Sequence, residues 1–186
     1  MDIFSAFGLS ASAGLNAYIP LLVVGLLARY TGTIKLSPPW DTLTDPWVLL
    51  VLAVLLLVEI LADKIPAVNH ANDVVQSFIR PVAGAIVFAA SAHVIANVHP
   101  VIAMICGLFV AGAVHGAKAL AIRPAVTVTT AGAGTPVVST VEDVLATVLS
   151  VVAILVPVVL GALICIAAAW IIWMIWRRIN HEAKKV

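Results

Sequence analysis

Long apolar runs alternate with short polar punctuation along this chain, and their spacing predicts a bundle of helices. The first run extends from about Phe4 to Tyr30. A polar loop follows, with Lys35, Ser37-Pro38-Pro39-Trp40 and Asp45-Pro46. Further apolar runs extend from Trp47 to about Ala62, from Pro81 to about Val98, and from Val101 to about Ile122. The most polar stretch, Asp63 to Arg80, separates the second run from the third and opens with Asp63-Lys64-Ile65-Pro66. Asn97-Val98-His99-Pro100 predicts a tight turn. Thr127 to Pro136 combines threonines, glycines and a terminal proline, which together disfavour a helix. Ser139-Thr140-Val141-Glu142 matches a capping box and predicts a helix start. The apolar sequence from Val144 to Trp176 is too long for one ordinary span, and Pro157 with Gly161 divides it as a turn or a kink.

A helical span needs about 20 apolar residues. On that measure residues 1–186 form a single integral membrane domain: an all-α, polytopic transmembrane helix bundle of about six spans. Helix breaks or re-entrant segments are expected at Pro66, Pro81, Pro136 and Pro157. Composition agrees with this reading. Hydrophobic residues make up 63% of the chain and charged residues 10%, and the mean hydropathy is +1.16. Soluble domains carry about 25% charged residues. The formal charge of +1 gives no reason to expect a nucleic-acid partner.

Charge bias chooses between topologies. Six spans with both termini cytoplasmic gather Lys64, Arg80, Lys118, Arg123, Arg177, Arg178, Lys184 and Lys185 on the inner face, leaving only Arg29 and Lys35 outside. Five spans divide these cations more evenly. Trp170, Trp173 and Trp176, followed by Arg177-Arg178, read as an interfacial aromatic belt with basic anchors. The N-terminus lacks the basic region of a signal peptide, so the first run reads as a retained span. The expected location is the inner membrane of a bacterium.

An internal echo is present. Pro66-Ala-Val-Asn-His-Ala-Asn-Asp73-Val aligns without a gap to Pro136-Val-Val-Ser-Thr-Val-Glu-Asp143-Val. Gly8-Leu9 and its small neighbours similarly resemble Gly107-Leu108 and theirs. These matches predict a degenerate duplication, a common feature of transporters.

Ionisable residues inside apolar sequence are costly and commonly functional. Glu59 and Asp63 are four apart, hence on one helical face. Asp73, Gln76 and Arg80 share another. His115 and Lys118 lie three apart among small residues, with Arg123 close behind. Asn16 sits inside the first run, and Pro20 cannot supply the N–H that the Asn16 carbonyl would accept in a helix. With His70, these residues form the expected ligand-binding set: Asn16, Glu59, Asp63, His70, Asp73, Arg80, His115, Lys118 and Arg123. Arg80, Lys118 and Arg123 would hold an anionic group, and Glu59, Asp63 or His115 would carry a proton. The Thr129–Thr135 segment and helix starts near Asn69 and Ser139 offer backbone N–H groups to an anion. The acidic residues and His70 match no structural zinc spacing, so no metal is expected. Neither a nucleophile elbow nor a cofactor motif is present, which argues against an enzyme. Cys106 and Cys165 read as packing residues.

The blocks Gly8-Leu-Ser-Ala-Ser-Ala-Gly-Leu-Asn-Ala17, Asp63-Lys64-Ile65-Pro66 with Asn69-His70 and Asp73, Phe78-Ile79-Arg80-Pro81, Thr135-Pro136 and Glu142-Asp143 resemble the family of small bacterial polytopic membrane proteins catalogued as domain of unknown function 4126. The resemblance covers nearly the whole chain and implies no established activity. The Phe-Ile-Arg-Pro element is also similar to the arginine–proline re-entrant segment of DedA-type lipid-translocation proteins. The resulting expectation is a small transporter or lipid-handling protein with a cytoplasm-facing polar cavity for an anionic or phosphate-bearing ligand, proton-coupled. Its partners would be membrane lipids, a small anion or lipid headgroup, and further copies of itself. The alternative is a structural or accessory subunit of a larger membrane complex, which the stripes of small residues would equally suit.

Overall fold

A computed structural model describes the backbone of residues 3–92, 98–130 and 133–183. Side chains are described there apart from 66–71, 92, 121–122, 125, 127, 157–169, 171–172, 174–175 and 178–183. The described residues are mostly helical and include no strand. Its helices are α1 (Ile3–Leu15), α2 (Tyr18–Tyr30), α3 (Pro46–Lys64), α4 (Pro66–Ala92), α5 (Pro100–Ala117), α6 (Arg123–Thr130) and α7 (Thr135–Ala183). A 3-10 turn at Trp40–Thr44 precedes α3, and a π-helical turn at Lys118–Ile122 joins α5 to α6.

Among the described residues, four segments are long and apolar enough to cross a membrane: Pro46–Lys64, Asn72–Ser91, Pro100–Leu120 and Thr135–Val156. Leu50, Val51, Val54, Leu57, Val58 and Leu61 of α3 are all exposed. A helix that is apolar on its outer face suits lipid and would be an aggregation hazard in water. The chain is thus read as an integral membrane protein.

The first apolar run is two helices, not the single span expected. Pro20 has no N–H, so the Asn16 carbonyl loses its helical donor, and the helix stops at Leu15. The Asn16 side chain restarts it by accepting from the N–H groups of Tyr18 (3.1 Å) and Ile19 (3.2 Å). The two halves then double back. Ala6, near the start of α1, packs with Phe88, Ala89, Ala103 and Trp40. At the far end of α2, Gly25 abuts Leu43 and Leu49, and Arg29 donates to the Thr44 carbonyl (2.7 Å). The outer ends of α1 and α2 therefore lie at one end of the bundle, and Asn16 lies towards the other. Each half has 13 residues, which spans about 20 Å at 1.5 Å per residue. That length stops short of crossing a hydrocarbon core of about 30 Å. The N-terminal end consequently shares its face with the 31–45 loop. The six-span arrangement had put them on opposite faces.

Prolines part from expectation at Pro81, and at Pro157 the structure excludes the turn of the two expected alternatives. Pro66 and Pro136 do open helices, where a missing N–H costs nothing. Pro81 lies inside α4, and α7 runs without a turn past Pro157. The polar stretch before Pro81 is the first half of the same helix, so the arginine–proline element is not a re-entrant segment here. Thr127–Thr130 also proves helical, with the Thr130 hydroxyl donating back to the Val126 carbonyl (2.7 Å).

Small residues bring the helices together. Gly84 of α4 lies against Gly107 and Ala111 of α5. The Ser10 hydroxyl donates into that crossing, 2.8 Å from the Gly107 carbonyl and 3.2 Å from that of Gly84. Ser12 donates to the Ala146 carbonyl (2.7 Å) and shares a hydrogen bond with Ser150 (2.8 Å). Gly8 faces Ala153, and Gly14 faces Ala111 and Val114. Close approach of this kind is the usual basis of helix association where no water drives it.

Candidate functional site

Where α1, α3 and α5 finish and α7 begins, the bundle encloses a cluster of ionised side chains. Arg80, on the inner face of α4, is fully buried. Its guanidinium donates to Glu59 Oε1 of α3 from Nη2 (2.7 Å) and Nε (3.3 Å), and Nη2 lies 3.8 Å from Asp63 Oδ2. Helical spacing accounts for this: Glu59 and Asp63 lie one turn apart and face the same cation.

Asp63 is the most heavily engaged carboxylate. It accepts from Asn72 Nδ2 (2.7 Å), Arg123 Nη2 (3.0 Å) and Ser139 Oγ (3.4 Å). Arg123 also contacts Asp73 and donates to Glu142 Oε2 (3.1 Å). Burial opposes its charge, but the Asp73 hydrogen bond and the charges of Glu142 and Asp63 hold its guanidinium above the usual arginine range. Lys118 Nζ lies 2.7 Å from the same Glu142 oxygen and donates to the Leu15 carbonyl (3.1 Å). A cation on the last carbonyls of α1 complements the negative end of that helix. The π turn matters here. It closes over five residues rather than four, so Lys118 and Arg123 come round to the same partner.

His115 links two parts of the cluster. Its Nδ1 is 3.4 Å from Arg80 Nη1 and its Nε2 is 3.0 Å from Ser77 Oγ. A guanidinium only donates. Nδ1 is therefore the acceptor, and Nε2 carries the hydrogen of a neutral imidazole. Ser77 in turn donates to the Asp73 carbonyl (2.8 Å). At the hairpin tip, Asn16 Nδ2 donates to Asp143 Oδ1 (2.9 Å).

Eight of the nine expected residues thus meet in one site. The side chain of the ninth, His70, lies outside the described residues. Sequence reasoning missed Glu142 and Asp143 as members. Glu142 reads as the last residue of a capping box, but α7 starts at Thr135 and the carboxylate is free to bridge Lys118 and Arg123. The signal lay in the aligned Asp73 and Asp143, which both reach the cluster. Lys64, the residue after Asp63, is exposed and outside the cluster. The backbone N–H of Gly134, expected to serve an anion, donates to Thr130 Oγ (2.9 Å). Asn69 and Ser139 are not in first turns, since their helices begin at Pro66 and Thr135.

The electrostatic account decides what the site can do. Arg80, Lys118 and Arg123 face Glu59, Asp63, Asp73 and Glu142, with Asp143 beside them. Each cation is held by at least one carboxylate. Glu59 Oε2, Glu142 Oε1 and Gln76 Oε1 are buried without a hydrogen-bond partner among the described residues. All three are acceptors. A buried acceptor left unpaired costs about 1–3 kcal/mol, more when charged, and each of these atoms has the lone pairs to accept a proton or another donor.

Residues 3–177 match the family described as domain of unknown function 4126. No curated protein and no solved structure matches the chain.

Proposed function

The chain belongs to the domain of unknown function 4126 family, and we propose that it is a small proton-coupled transporter or lipid-handling protein for an anionic, phosphate-bearing ligand. One observation carries this reading: the buried cations are each engaged by a carboxylate, and Glu59 and Glu142 each keep a second oxygen buried and unpaired among the described residues. A proton arriving on Glu59 Oε2 or Glu142 Oε1 neutralises that carboxylate. Arg80 or Lys118 is then left as an uncompensated positive charge and binds the ligand's anionic group in place of the carboxylate. Loss of the proton restores the internal pair and expels the anion. Proton and anion therefore enter and leave together.

The helix directions support a two-part transporter. α1 and α5 both run towards the cluster, and α4 and α7 both run away from it. The segments matched in the sequence echo thus share their direction, which suits a degenerate duplication with Asp73 and Asp143 in corresponding places. The broken helix at Asn16, with its tip inside the bilayer, is the arrangement transporters use to present backbone groups to a ligand. The accessory-subunit reading draws less support, because Gly8, Gly14, Gly84 and Gly107 are used in packing within the chain.

The test uses inorganic phosphate as probe, with isothermal titration of the purified protein between pH 5.5 and pH 8. Binding is expected to strengthen as pH falls. Glu59→Gln, which mimics the protonated carboxylate, is expected to retain binding at pH 8, and Arg80→Gln to lose it throughout. Binding indifferent to pH and to both substitutions would overturn the reading.

A further inference from the structure

Beside the ionic cluster the helices leave a cavity of about 350 Å³ between α2 and α4. Tyr18, Leu21, Phe78, Ile79, Val82 and Ile86 line it, and the Tyr18 phenol is the one polar group among these six. The cavity lies within the span Asn72–Ser91, and its rim residues Phe78 and Val82 are exposed on the outside of the bundle. At that depth the outside is hydrocarbon. The inner wall is different in kind. Tyr18 is close enough to Glu59, Gln76 and Arg80 to interact with each of them. Ile79 lines the cavity, and Arg80, the next residue on α4, is buried in the cluster. Gln76, one turn before Arg80, is almost completely buried, with its Oε1 unpartnered among the described residues. An apolar groove open to hydrocarbon thus has Ile79 in its wall, the neighbour on α4 of the buried Arg80 that pairs with Glu59.

We propose that this groove holds the acyl chain of an anionic phospholipid whose headgroup reaches Arg80, so that the ligand of the cluster is a lipid. This rests on the anion reading above and names its substrate class. The two halves of the site match the two halves of an amphiphile. A free anion would need the cluster alone, and a neutral lipid would need the groove alone.

Native mass spectrometry of the detergent-solubilised full chain tests it, with phosphatidylglycerol, phosphatidylcholine of the same acyl chains and inorganic phosphate added separately at pH 6. Phosphatidylglycerol is expected to be retained at least tenfold more strongly than phosphatidylcholine. Val82→Trp fills the mouth of the groove from its lipid-facing side and is expected to cut phosphatidylglycerol retention at least tenfold. Val82→Leu, a milder filling, is expected to give a smaller loss, and circular dichroism confirms that both variants are folded. Retention of phosphatidylglycerol that is unchanged in both variants, with phosphate still bound, overturns the lipid assignment and leaves the anion reading standing. Equal retention of the two lipids also overturns it, as annular lipid only. Failure of the unaltered protein to retain either phosphatidylglycerol or phosphate overturns both readings.

Discussion

Replacing Arg80 by methionine is expected to destabilise the protein far more than replacing Arg80 and Glu59 together. Arg80 is fully buried and gives Glu59 two hydrogen bonds to one oxygen. Without it, Glu59 is a buried carboxylate with no donor from that side. Removing one partner of a buried pair costs about 3–5 kcal/mol, chiefly because the other charge remains. The two charge-assisted hydrogen bonds, at about 1.5–3 kcal/mol each, give a similar figure. Asp63 is less affected, since Asn72, Arg123 and Ser139 still serve it. When Glu59→Met accompanies Arg80→Met, the orphaned charge is gone and two flexible apolar side chains fill the space. Such replacements are often neutral or stabilising. Some loss persists because His115 Nδ1 also loses its donor, so the double variant should fall within about 2 kcal/mol of the unaltered protein. The coupling energy from the four-member cycle should then be at least about 2 kcal/mol. Reversible unfolding in mixed dodecylmaltoside and dodecyl sulfate micelles, followed by far-ultraviolet circular dichroism, measures each corner. Costs that add within about 0.5 kcal/mol would refute the pairing and the burial argument with it. The double variant should also fail to bind phosphate at any pH, which separates the pair's functional role from its structural one.

Three other outcomes follow from the geometry. Asn16→Ala removes the restart of α2 and the hydrogen bond to Asp143, and should cost about 1–2 kcal/mol, the usual range for a lost cap, in the same unfolding assay. A Cβ at Gly14 would stand 2.6 Å from the Ala111 carbonyl and 2.7 Å from Val114 Cβ, so Gly14→Ala should destabilise by about 1–3 kcal/mol. Gly116→Ala, with nothing within 4 Å, should be tolerated, and equal melting temperatures for the two variants would contradict the packing described. In sealed vesicles, single cysteines at Ile3 and Lys35 should label with a membrane-impermeant maleimide from the same face, and one at Lys64 from the opposite face. Labelling of Ile3 and Lys64 from one face would restore the six-span arrangement and remove the helical hairpin.

The membrane class and the cluster were legible in the sequence for the same reason. Apolar sequence makes every ionisable residue in it conspicuous, and the three- and four-residue spacings of Glu59–Asp63, Gln76–Arg80 and His115–Lys118 already place them on single faces. What could not be read locally was the choice between two uses of one pattern. Pro20 and Pro81 each deprive a carbonyl of its donor, yet only the first ends a helix. Asn16 stands beside the Pro20 break with a side chain that caps the next helix. At Pro81 the helix continues between neighbours, with Gly84 and Arg80 both engaged by other helices. Glu142 shows the same ambiguity. Its spacing from Ser139 fits a capping box, and its carboxylate is instead drawn to Lys118 and Arg123, because leaving those cations unpaired in the bundle would cost several kcal/mol, more than the roughly 1 kcal/mol a cap returns. Local signals of about 1 kcal/mol are thus overruled wherever a buried charge must be met. Every carboxylate of the cluster except Asp143 meets such a charge, so the same preference that hid Glu142 from the sequence makes the cluster neutral enough to fold, and on the proposed reading it is this pairing that an external anion would replace.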